Sequence, residues 1–286
     1  MHKGIFVYSR LTATRKDNAF SWLQEEALHC GLELEICFEE DCRIEYNSGH
    51  SSISFAGQPM DEVEFVMMRT YNDRISRYYE NKGNVLVVND SRSMALSKDK
   101  LLTHHAMVEA GLPTPHTIYA PAMGYASLAE EFGSDRFMVK KIDGAKGENI
   151  FMVNSEGEFL SAVSALLPDC IFQEVVGDSI GRDIRVWVIG NECVGSVMRY
   201  SETSYLSNFS KGGKFAAIEL NAAARDIAVR ASNAVGLKFS GVDLLFCGDS
   251  YTVCEVNGNA GFRTISAASD VNIPRRLFQY IVSLLK

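Results

Sequence analysis

The stretch "GVDLLFCGDSYTVCEVNGNAGFR", residues 241–263, has the pattern of a β-hairpin followed by a glycine-containing loop. A hairpin tip of three residues, 248–250, places Asp243 opposite Glu255. Because side chains alternate along a strand, Asn257 lies on the same face as Glu255. Like charges that oppose each other destabilise a sheet. This register therefore predicts a bound cation beside the two carboxylates.

The ligand chemistry of this cluster indicates which cation it would hold. Carboxylate and amide oxygens are hard donors, and the cluster has no histidine or cysteine. Such donors suit Mg²⁺, which keeps water ligands and usually shares its coordination with substrate phosphates. One alternative is that Asp243 and Glu255 form separate surface salt bridges. A register shifted by one residue would also separate the three side chains.

Length and composition narrow the class of protein. The 286 residues, 47% hydrophobic and 22% charged, suffice for one large domain or for two to three lobes. A net charge of −8 argues against a nucleic-acid-binding protein that uses a basic surface. All six histidines lie at or before His116, which excludes a histidine triad or histidine-rich metal site from the rest of the chain.

Cysteine usage and hydropathy indicate the compartment. Seven cysteines without a CxxC pair are typical of reduced thiols in a cytosolic protein. No apolar run reaches the ~18 to 20 residues that a membrane span needs. The first residues, "MHKGIFVYSR", carry no signal-peptide pattern. We expect a cytoplasmic protein that does not insert into a membrane.

Alternating strand and helix patterns predict an α/β fold with α+β lobes. Residues 1–95 repeat strand, helix and strand, which indicates a parallel sheet with crossover helices. Residues 96–175 read as a helix with Ser97 as N-cap, followed by a small unit of strands and one helix. Residues 176–286 read as two hairpins, an intervening helix and a closing helix from about Pro274.

The loop within "VKKIDGAKGEN", residues 139–149, is a candidate phosphate-binding loop. Gly144 and Gly147 let backbone N–H groups approach phosphate oxygens, and Lys140 and Lys146 would add positive charge. The loop matches neither the P-loop pattern nor the Rossmann glycine pattern. An ordinary hairpin turn is the alternative.

The segment "IFQEVVGDS", residues 171–179, reads as a buried strand that ends in an acidic residue. Backbone groups of such a strand can pair with a nucleotide base, and Asp178 can accept from a ribose hydroxyl. A strand end with a turn is the alternative.

Two arginines lie inside apolar strands of the first C-terminal hairpin. Arg185 lies on the same face of its strand as Asp183. An arginine inside an apolar strand usually pairs with a carboxylate or binds an anionic ligand. A three-residue tip at 190–192 places Arg199 opposite Asp183 on the same face, whereas a two-residue tip places it on the other face.

The order of these segments resembles the successive motifs of the ATP-grasp superfamily, and more closely its RimK-type ligases, which attach amino acids, often glutamate, to a carboxylate. The matching segments are "SKDKLLTHHAMVEAGLPTPHT" (97–117), "FMVKKIDGAKGENIFMV" (137–153), "IFQEVVGDSIGRDIRVWVIGNECVGSVMR" (171–199), "SNFSKGG" (207–213) and the hairpin at 241–261. The resemblance covers residues 65–265 and implies an N-terminal parallel α/β lobe followed by two lobes that clamp ATP.

By matching position, the resemblance also implies residue roles. The ATP phosphates would be bound by Lys100, Lys140, Gly144, Lys146 and Gly147. Adenine and ribose would be bound by Gln173, Glu174, Val175, Val176 and Asp178. Two Mg²⁺ ions, with Mn²⁺ as an alternative, would be held by Asp243, Glu255 and Asn257. The phosphate and an acylphosphate would face Arg185, Arg199 and Asn208, and a substrate carboxylate would face Arg263.

The resemblance implies a two-step reaction. A carboxylate attacks the γ-phosphorus of ATP, and an amine then attacks the acylphosphate to give an amide. The substrates would be a small-molecule or peptide carboxylate and an amine. Family members commonly associate, so a homo-oligomer is one possibility and the oligomeric state stays open. A small-molecule kinase and a non-catalytic nucleotide-binding module are the alternatives. In "EVNGNAGFR", Gly258-Asn259 replaces the Ser-Ser or Ser-Asn of many relatives, which leaves the substrate open.

Overall fold

A computed structural model of the chain describes residues 1–13, 19–144, 147–207 and 213–285. Its N-terminal lobe contains, in chain order, β1 (His2–Tyr8), α1 (Arg10–Ala13), α2 (Ala19–His29), β2 (Leu32–Phe38), a 3₁₀ turn (Glu39–Asp41), β3 (Cys42–Asn47), β4 (His50–Phe55), β5 (Gln58–Pro59), β6 (Phe65–Met68), α3 (Asp73–Lys82), β7 (Leu86–Val88) and α4 (Ser91–Lys98).

The main sheet of this lobe has the order β2-β1-β6-β7, and every neighbouring pair is parallel. The predicted parallel sheet is therefore confirmed. Leu23 and Ala27 of α2 are buried in the same core cluster as Phe6 of β1, which explains why this helix covers the sheet. A second, antiparallel sheet of β3, β4 and β5 was not predicted. Its strands are largely polar, and Ile53 and Phe55 are their buried apolar residues.

The central lobe consists of α5 (Lys100–Glu109), β8 (Thr117–Ile118), α6 (Tyr125–Phe132), β9 (Phe137–Lys141), β10 (Ile150–Val153), α7 (Glu156–Leu166) and β11 (Cys170–Glu174). Its antiparallel sheet has the order β10-β9-β11-β8. The helix start predicted at Ser97 was wrong. Ser97 still belongs to α4, and Asp99 caps α5, because its side chain accepts a hydrogen bond of 2.9 Å from the N–H of Leu102.

The C-terminal lobe begins with a 3₁₀ turn (Gly177–Ser179) and continues with β12 (Arg182–Ile189), β13 (Glu192–Tyr200), β14 (Lys214–Ala217), α8 (Ala222–Val235), β15 (Phe239–Cys247), β16 (Ser250–Asn257), α9 (Arg263–Ala268) and α10 (Ile273–Leu285). The sheet is antiparallel with the order β14-β13-β12-β15-β16. One face carries Val186 and Val188 into the core against α8. The opposite face carries charged side chains.

The tip of the β15–β16 hairpin differs from the predicted one. Cys247 pairs with Ser250, so the tip has two residues rather than three. The predicted pairing of Asp243 with Glu255 is nevertheless observed. Cys254 is an extra residue in β16, and this β-bulge shifts the pairing by one residue. Asp243 therefore lies opposite Glu255, as the three-residue tip had predicted.

The β12–β13 hairpin shows the same combination. Ile189 pairs with Glu192, which gives a two-residue tip, and Val194 is an extra residue between the paired positions of β13. Beyond this bulge Arg199 lies opposite Asp183. The expectation that a two-residue tip places Arg199 on the other face was wrong because the bulge restores the register.

Core clusters join the first and third lobes. Phe6 of β1 contacts Phe278 of α10, with ring centroids 5.5 Å apart. The central lobe has its own cluster, in which Phe137, Phe159 and Phe172 lie together. Within the part of the chain that the structure describes, no helix has both the length and the apolar character needed to cross a membrane.

Candidate functional site

A pocket lies between the sheet of the central lobe and the charged face of the C-terminal sheet. Its apolar wall comes from Met138, Ile150, Met152, Val175, Val176 and Leu245. Its polar end carries lysine, arginine and carboxylate side chains. An apolar slot beside a charged end suits a ligand with a flat base and a phosphate chain.

Most of the predicted site residues are in or near this pocket. The lining includes Lys140, Gly147, Gln173, Glu174, Val175, Val176, Arg199, Asp243 and Glu255. The predicted residues whose positions are described but which do not line it are Lys100, Gly144, Asp178, Arg185 and Asn257. The predictions for Lys146 and Asn208 lie outside the described residues, as does the side chain of Arg263. Sequence reasoning missed the apolar wall contributed by β9 and β10.

Lys100 connects the glycine loop to the carboxylates of the C-terminal lobe. Its Nζ donates to the carbonyl oxygen of Gly144 at 2.6 Å and lies 3.7 Å from Oε1 of Glu255. The side chain is 9% exposed, so this charge is held in place by its surroundings. A buried ammonium beside a glycine loop is an effective point charge for phosphate oxygens.

Lys140 is oriented by a hydrogen-bond network that the sequence did not reveal. Its Nζ donates to Oε1 of Gln173, whose Nε2 lies 2.9 Å from Nε2 of His104 and donates to Oγ1 of Thr117 at 2.8 Å. Because lysine only donates, the oxygen of Gln173 must face it, and Nε2 of His104 must accept. Burial lowers the pKa of His104 to about 4, with the charges of Lys140 and Lys100 adding to the effect.

Arg185 and Arg199 both pair with Asp243. Arg185 forms a bidentate ion pair with Asp243, in which Nε donates to Oδ1 and Nη2 donates to Oδ2 at 2.6 Å. Nη2 of Arg199 lies 2.9 Å from Oδ2, while its Nε donates to Asp183 at 2.7 Å. Burial works to raise the pKa of Asp243, but the two guanidinium groups outweigh it and hold the pKa below its usual range. These arginines supply positive charge beside Asp243 in addition to any bound cation.

Glu255 and Asn257 are the more accessible donors of the predicted metal site. The Glu255 side chain is 27% exposed. Asn257 donates through Nδ2 to the carbonyl oxygen of Gly241 at 3.4 Å, and its amide oxygen is the end that can ligate. In the described part of the chain no group of three or more His, Cys, Asp or Glu side chains forms a metal cluster. Glu255 and Asn257 nonetheless fit Mg²⁺, which takes its remaining ligands from water and phosphate. Both oxygens of Asp243 contact arginines, so Asp243 would join them by exchanging a guanidinium group for the cation.

Two of the residues predicted to contact the nucleotide, Glu174 and Asp178, have carboxylates that accept hydrogen bonds from backbone N–H groups. Oε1 of Glu174 accepts from the N–H of His116 at 2.8 Å, and Oδ2 of Asp178 accepts from the N–H of Gly248 at 2.8 Å. Asp178 thus ties the segment after β11 to the tip of the β15–β16 hairpin. Its role toward a ribose stays a prediction.

The fold is that of the ATP-grasp proteins. A family model described as the RimK-like ATP-grasp domain matches residues 97–281. The chain belongs to this family, and it is a ligase that forms carbon–nitrogen bonds. The predictions of an ATP-grasp fold and of a RimK-type ligase are therefore confirmed.

Curated relatives are similar over almost their whole length. The chain is 28% identical over 270 residues to a probable alpha-L-glutamate ligase 1 of Pseudoalteromonas atlantica, covering 91% of this chain and 89% of that protein. It is 27% identical over 289 residues to a probable alpha-L-glutamate ligase of Stenotrophomonas maltophilia, covering 97% of both.

Solved structures share the fold. The ATP-grasp ligase PsnB, complexed with a minimal precursor, has a TM-score of 0.74 at 21% identity, with 99% of both chains covered. The D-cycloserine synthetase DcsG has a TM-score of 0.71 at 17% identity, with 99% of this chain and 100% of that chain covered.

Proposed function

We propose that the protein is an ATP- and Mg²⁺-dependent carboxylate–amine ligase that forms an amide through an acylphosphate. One observation carries the proposal. A single pocket brings Lys140 and Gly147 of the central lobe to Arg199, Asp243 and Glu255 of the C-terminal lobe. Cations, a glycine loop and hard oxygen donors around one apolar slot are the requirements of phosphoryl transfer from a nucleotide.

Each group has a role in this reaction. Lys140 and Lys100 bind phosphate oxygens and hold the γ-phosphoryl group toward the attacking carboxylate. Glu255 and Asn257, together with Asp243, would hold the two Mg²⁺ ions, which neutralise charge on the phosphate oxygens when bound.

The arginines and the pocket wall complete the proposed mechanism. Arg185 and Arg199 stabilise the charge that develops as the acylphosphate forms, and Asn208 assists them. The apolar wall excludes water, which protects the acylphosphate from hydrolysis until the amine attacks. Arg263 follows the metal-binding strand and would bind a carboxylate of the substrate.

We propose an amino acid such as glutamate as one substrate and a small-molecule or peptide carboxylate as the other. Support for glutamate comes from the names of the relatives in Pseudoalteromonas atlantica and Stenotrophomonas maltophilia. Support for a peptide comes from the fold that the chain shares with PsnB, which was also solved with a precursor peptide. We also propose a cytoplasmic location, supported by seven cysteines that are all free thiols.

The test is a panel of amino acids incubated with ATP and Mg²⁺, read by phosphate release and by mass spectrometry of the product. An amide product together with ADP and phosphate supports the ligase. A phosphorylated product without phosphate release identifies a kinase instead, and the absence of turnover with every acceptor identifies a binding module.

The variant Glu255→Ala tests the metal assignment within the same assay. It should abolish acceptor-dependent ADP release, because the Mg²⁺ site loses its most accessible carboxylate. Asp249→Ala is the matched control, since this exposed aspartate lies in the tip of the same hairpin and should leave turnover unchanged. Full turnover of Glu255→Ala would rule out the metal assignment.

A further inference from the structure

Arg69 is a buried guanidinium group with unmet hydrogen-bond donors. It is 5% exposed, and Nη2 donates to the carbonyl oxygen of Ala260 at 2.8 Å. Among the described residues, the buried Nε and Nη1 have no hydrogen-bond partner, and no carboxylate forms an ion pair with the guanidinium. The phenol of Tyr8 is its side-chain hydrogen-bonding neighbour. Burial lowers the pKa of this guanidinium. A buried charge without a counter-ion is costly, so its presence requires an explanation.

Its position in the fold is a ligand-binding position. Arg69 directly follows β6, and its backbone N–H donates to the carbonyl oxygen of Val7 in β1 at 2.8 Å. Both strands are parallel and end here, and open α/β sheets bind ligands in the crevice beyond the carboxyl ends of their strands. Tyr8, the last residue of β1, adds a buried phenol whose pKa is raised by burial and lowered by Arg69.

The loop after the metal-binding strand closes over this arginine. Nδ2 of Asn259 donates to the carbonyl oxygen of Arg69 at 2.9 Å, and the guanidinium carbon lies 4.6 Å from the ring centre of Phe262. The loop begins directly after Asn257, so Arg69 is tied to the end of the strand that carries the proposed Mg²⁺ ligands.

Tyr71 relates Arg69 to the reaction centre. Although 39% of Tyr71 is exposed, partial desolvation raises the pKa of its phenol, Glu255 adds to the effect, and Arg69 and Arg185 oppose it. The phenol therefore lies within electrostatic range of both Glu255 and Arg69. Neither Tyr71 nor Arg69 lines the pocket assigned to the nucleotide. Arg69 is thus placed near the proposed Mg²⁺ ligands but outside the nucleotide pocket.

We propose that Arg69, assisted by the phenol of Tyr8, binds a carboxylate group of the ligase's substrate where the N-terminal lobe meets loop 258–262. This assignment rests on the proposed ligase function and specifies part of its substrate site. The free N–H groups of Arg69 make charge-assisted hydrogen bonds to the carboxylate oxygens, which neutralise the buried charge. Because both donors are buried, the carboxylate must displace part of the loop to reach them.

A purely structural role accounts less well for these contacts. A guanidinium with only a structural role would use its bond to Ala260, its contact with the ring of Phe262 and its hydrogen bond with the phenol of Tyr8. Those contacts leave two nitrogens desolvated, and an apolar side chain of similar size would avoid that cost. An anionic ligand accounts for the unmet donors, the arginine and its position at the strand ends together.

The experiment measures the unfolding midpoint of the full chain in sodium glutarate against sodium chloride at equal ionic strength. Glutarate offers carboxylates without an amine, and a ligand that binds the native state raises the midpoint in a saturable way. We expect this rise in the unmodified protein, a smaller rise in Arg69→Lys and none in Arg69→Met. Arg74→Met is the matched control, because Arg74 is exposed in the same lobe, and it should keep the full rise.

The midpoint in chloride shows whether each variant is folded. An equal glutarate-dependent rise in Arg69→Met and the unmodified protein, or the absence of a saturable rise in the unmodified protein, would overturn the assignment. A structural arginine predicts a lower midpoint in chloride for Arg69→Met without a change in the response to glutarate.

A kinetic measurement separates this inference from the proposed function. With the substrates found in the amino-acid panel, Arg69→Met should raise KM for a carboxylate substrate about 10- to 100-fold, the loss of a charge-assisted contact. KM for ATP should stay within about twofold. The proposed function fails if no amide forms, whereas this inference fails on the glutarate response or on an unchanged carboxylate KM.

Discussion

Replacing His104 with glutamine should remove a large part of the protein's sensitivity to mild acid. Nε2 of His104 must accept a hydrogen bond from the amide of Gln173, because the oxygen of that amide faces Lys140. A protonated imidazole has no acceptor, so protonation breaks this bond and places a buried positive charge near two lysines. Glutamine at this position can accept the same bond and does not titrate.

The size of the effect follows from the pKa of His104. It falls from 6.5 to about 4 in the folded protein. At about 1.36 kcal/mol per pKa unit, the full contribution is about 3 kcal/mol. Between these two pKa values the unfolded chain binds more protons than the folded chain. The stabilisation is therefore complete above pH 6.5, is lost as the pH falls toward 4, and has declined by about 2 kcal/mol at about pH 5.

Urea unfolding at about pH 7.5 and about pH 5 measures this difference. The free energy of unfolding of the unmodified protein, relative to that of His104→Gln, should fall by about 2 kcal/mol between the two conditions. His105→Gln is the matched control, because His105 lies exposed on the same helix. This variant should lose as much free energy of unfolding between the two conditions as the unmodified protein does. A pH-independent difference for His104→Gln would refute the reasoning that the fold keeps this imidazole neutral.

Two further predictions concern the charged face of the C-terminal sheet. Arg199→Met should lower the free energy of unfolding by about 3 to 5 kcal/mol, because Asp183 loses its paired charge while it stays buried. A loss below about 1 kcal/mol in urea unfolding would contradict this. Gly241→Ala should cost about 1 to 3 kcal/mol and slow turnover, because its new Cβ would lie 2.7 Å from Cβ of Ala260 and 2.9 Å from Cδ of Arg185. Gly157→Ala has open space in α7 and should be neutral or stabilising by up to about 1 kcal/mol, and equal losses for the two glycines would refute the steric argument.

Elements governed by local signals could be predicted from the sequence. Helix α8 begins after Asn221, whose side chain accepts from the N–H of Ala224 at 2.8 Å, and it ends at Gly236 with φ of 81°. Both features are residue-type preferences that act over one helical turn. The parallel N-terminal sheet follows in the same way from repeated strand and helix patterns.

Features governed by long-range contacts could not be predicted. His104 and Gln173 are 69 residues apart, and no spacing rule joins them. Arg69 follows an ordinary buried strand, and its unmet donors become visible only when the loop with Ala260 is placed over it. The pairing of Asp243 with two arginines likewise depends on strand order, which brings β12 and β15 together although helix α8 separates them along the chain.

Each of the two C-terminal hairpins combines a two-residue tip with one bulge. Which charged side chains face each other therefore depends on the total number of residues in the tip and the bulge, and the length of the tip alone does not decide it. A two-residue tip with one extra residue at Cys254 sets Asp243 against Glu255, and a three-residue tip with regular strands would do the same. A single inserted residue in one of these hairpins would therefore keep the charged side chains opposite each other only if the bulge were lost at the same time. The bulge also brings the sulfur of Cys254 to 3.9 Å from Nζ of Lys140, so the residue that corrects the register also lines the proposed nucleotide pocket.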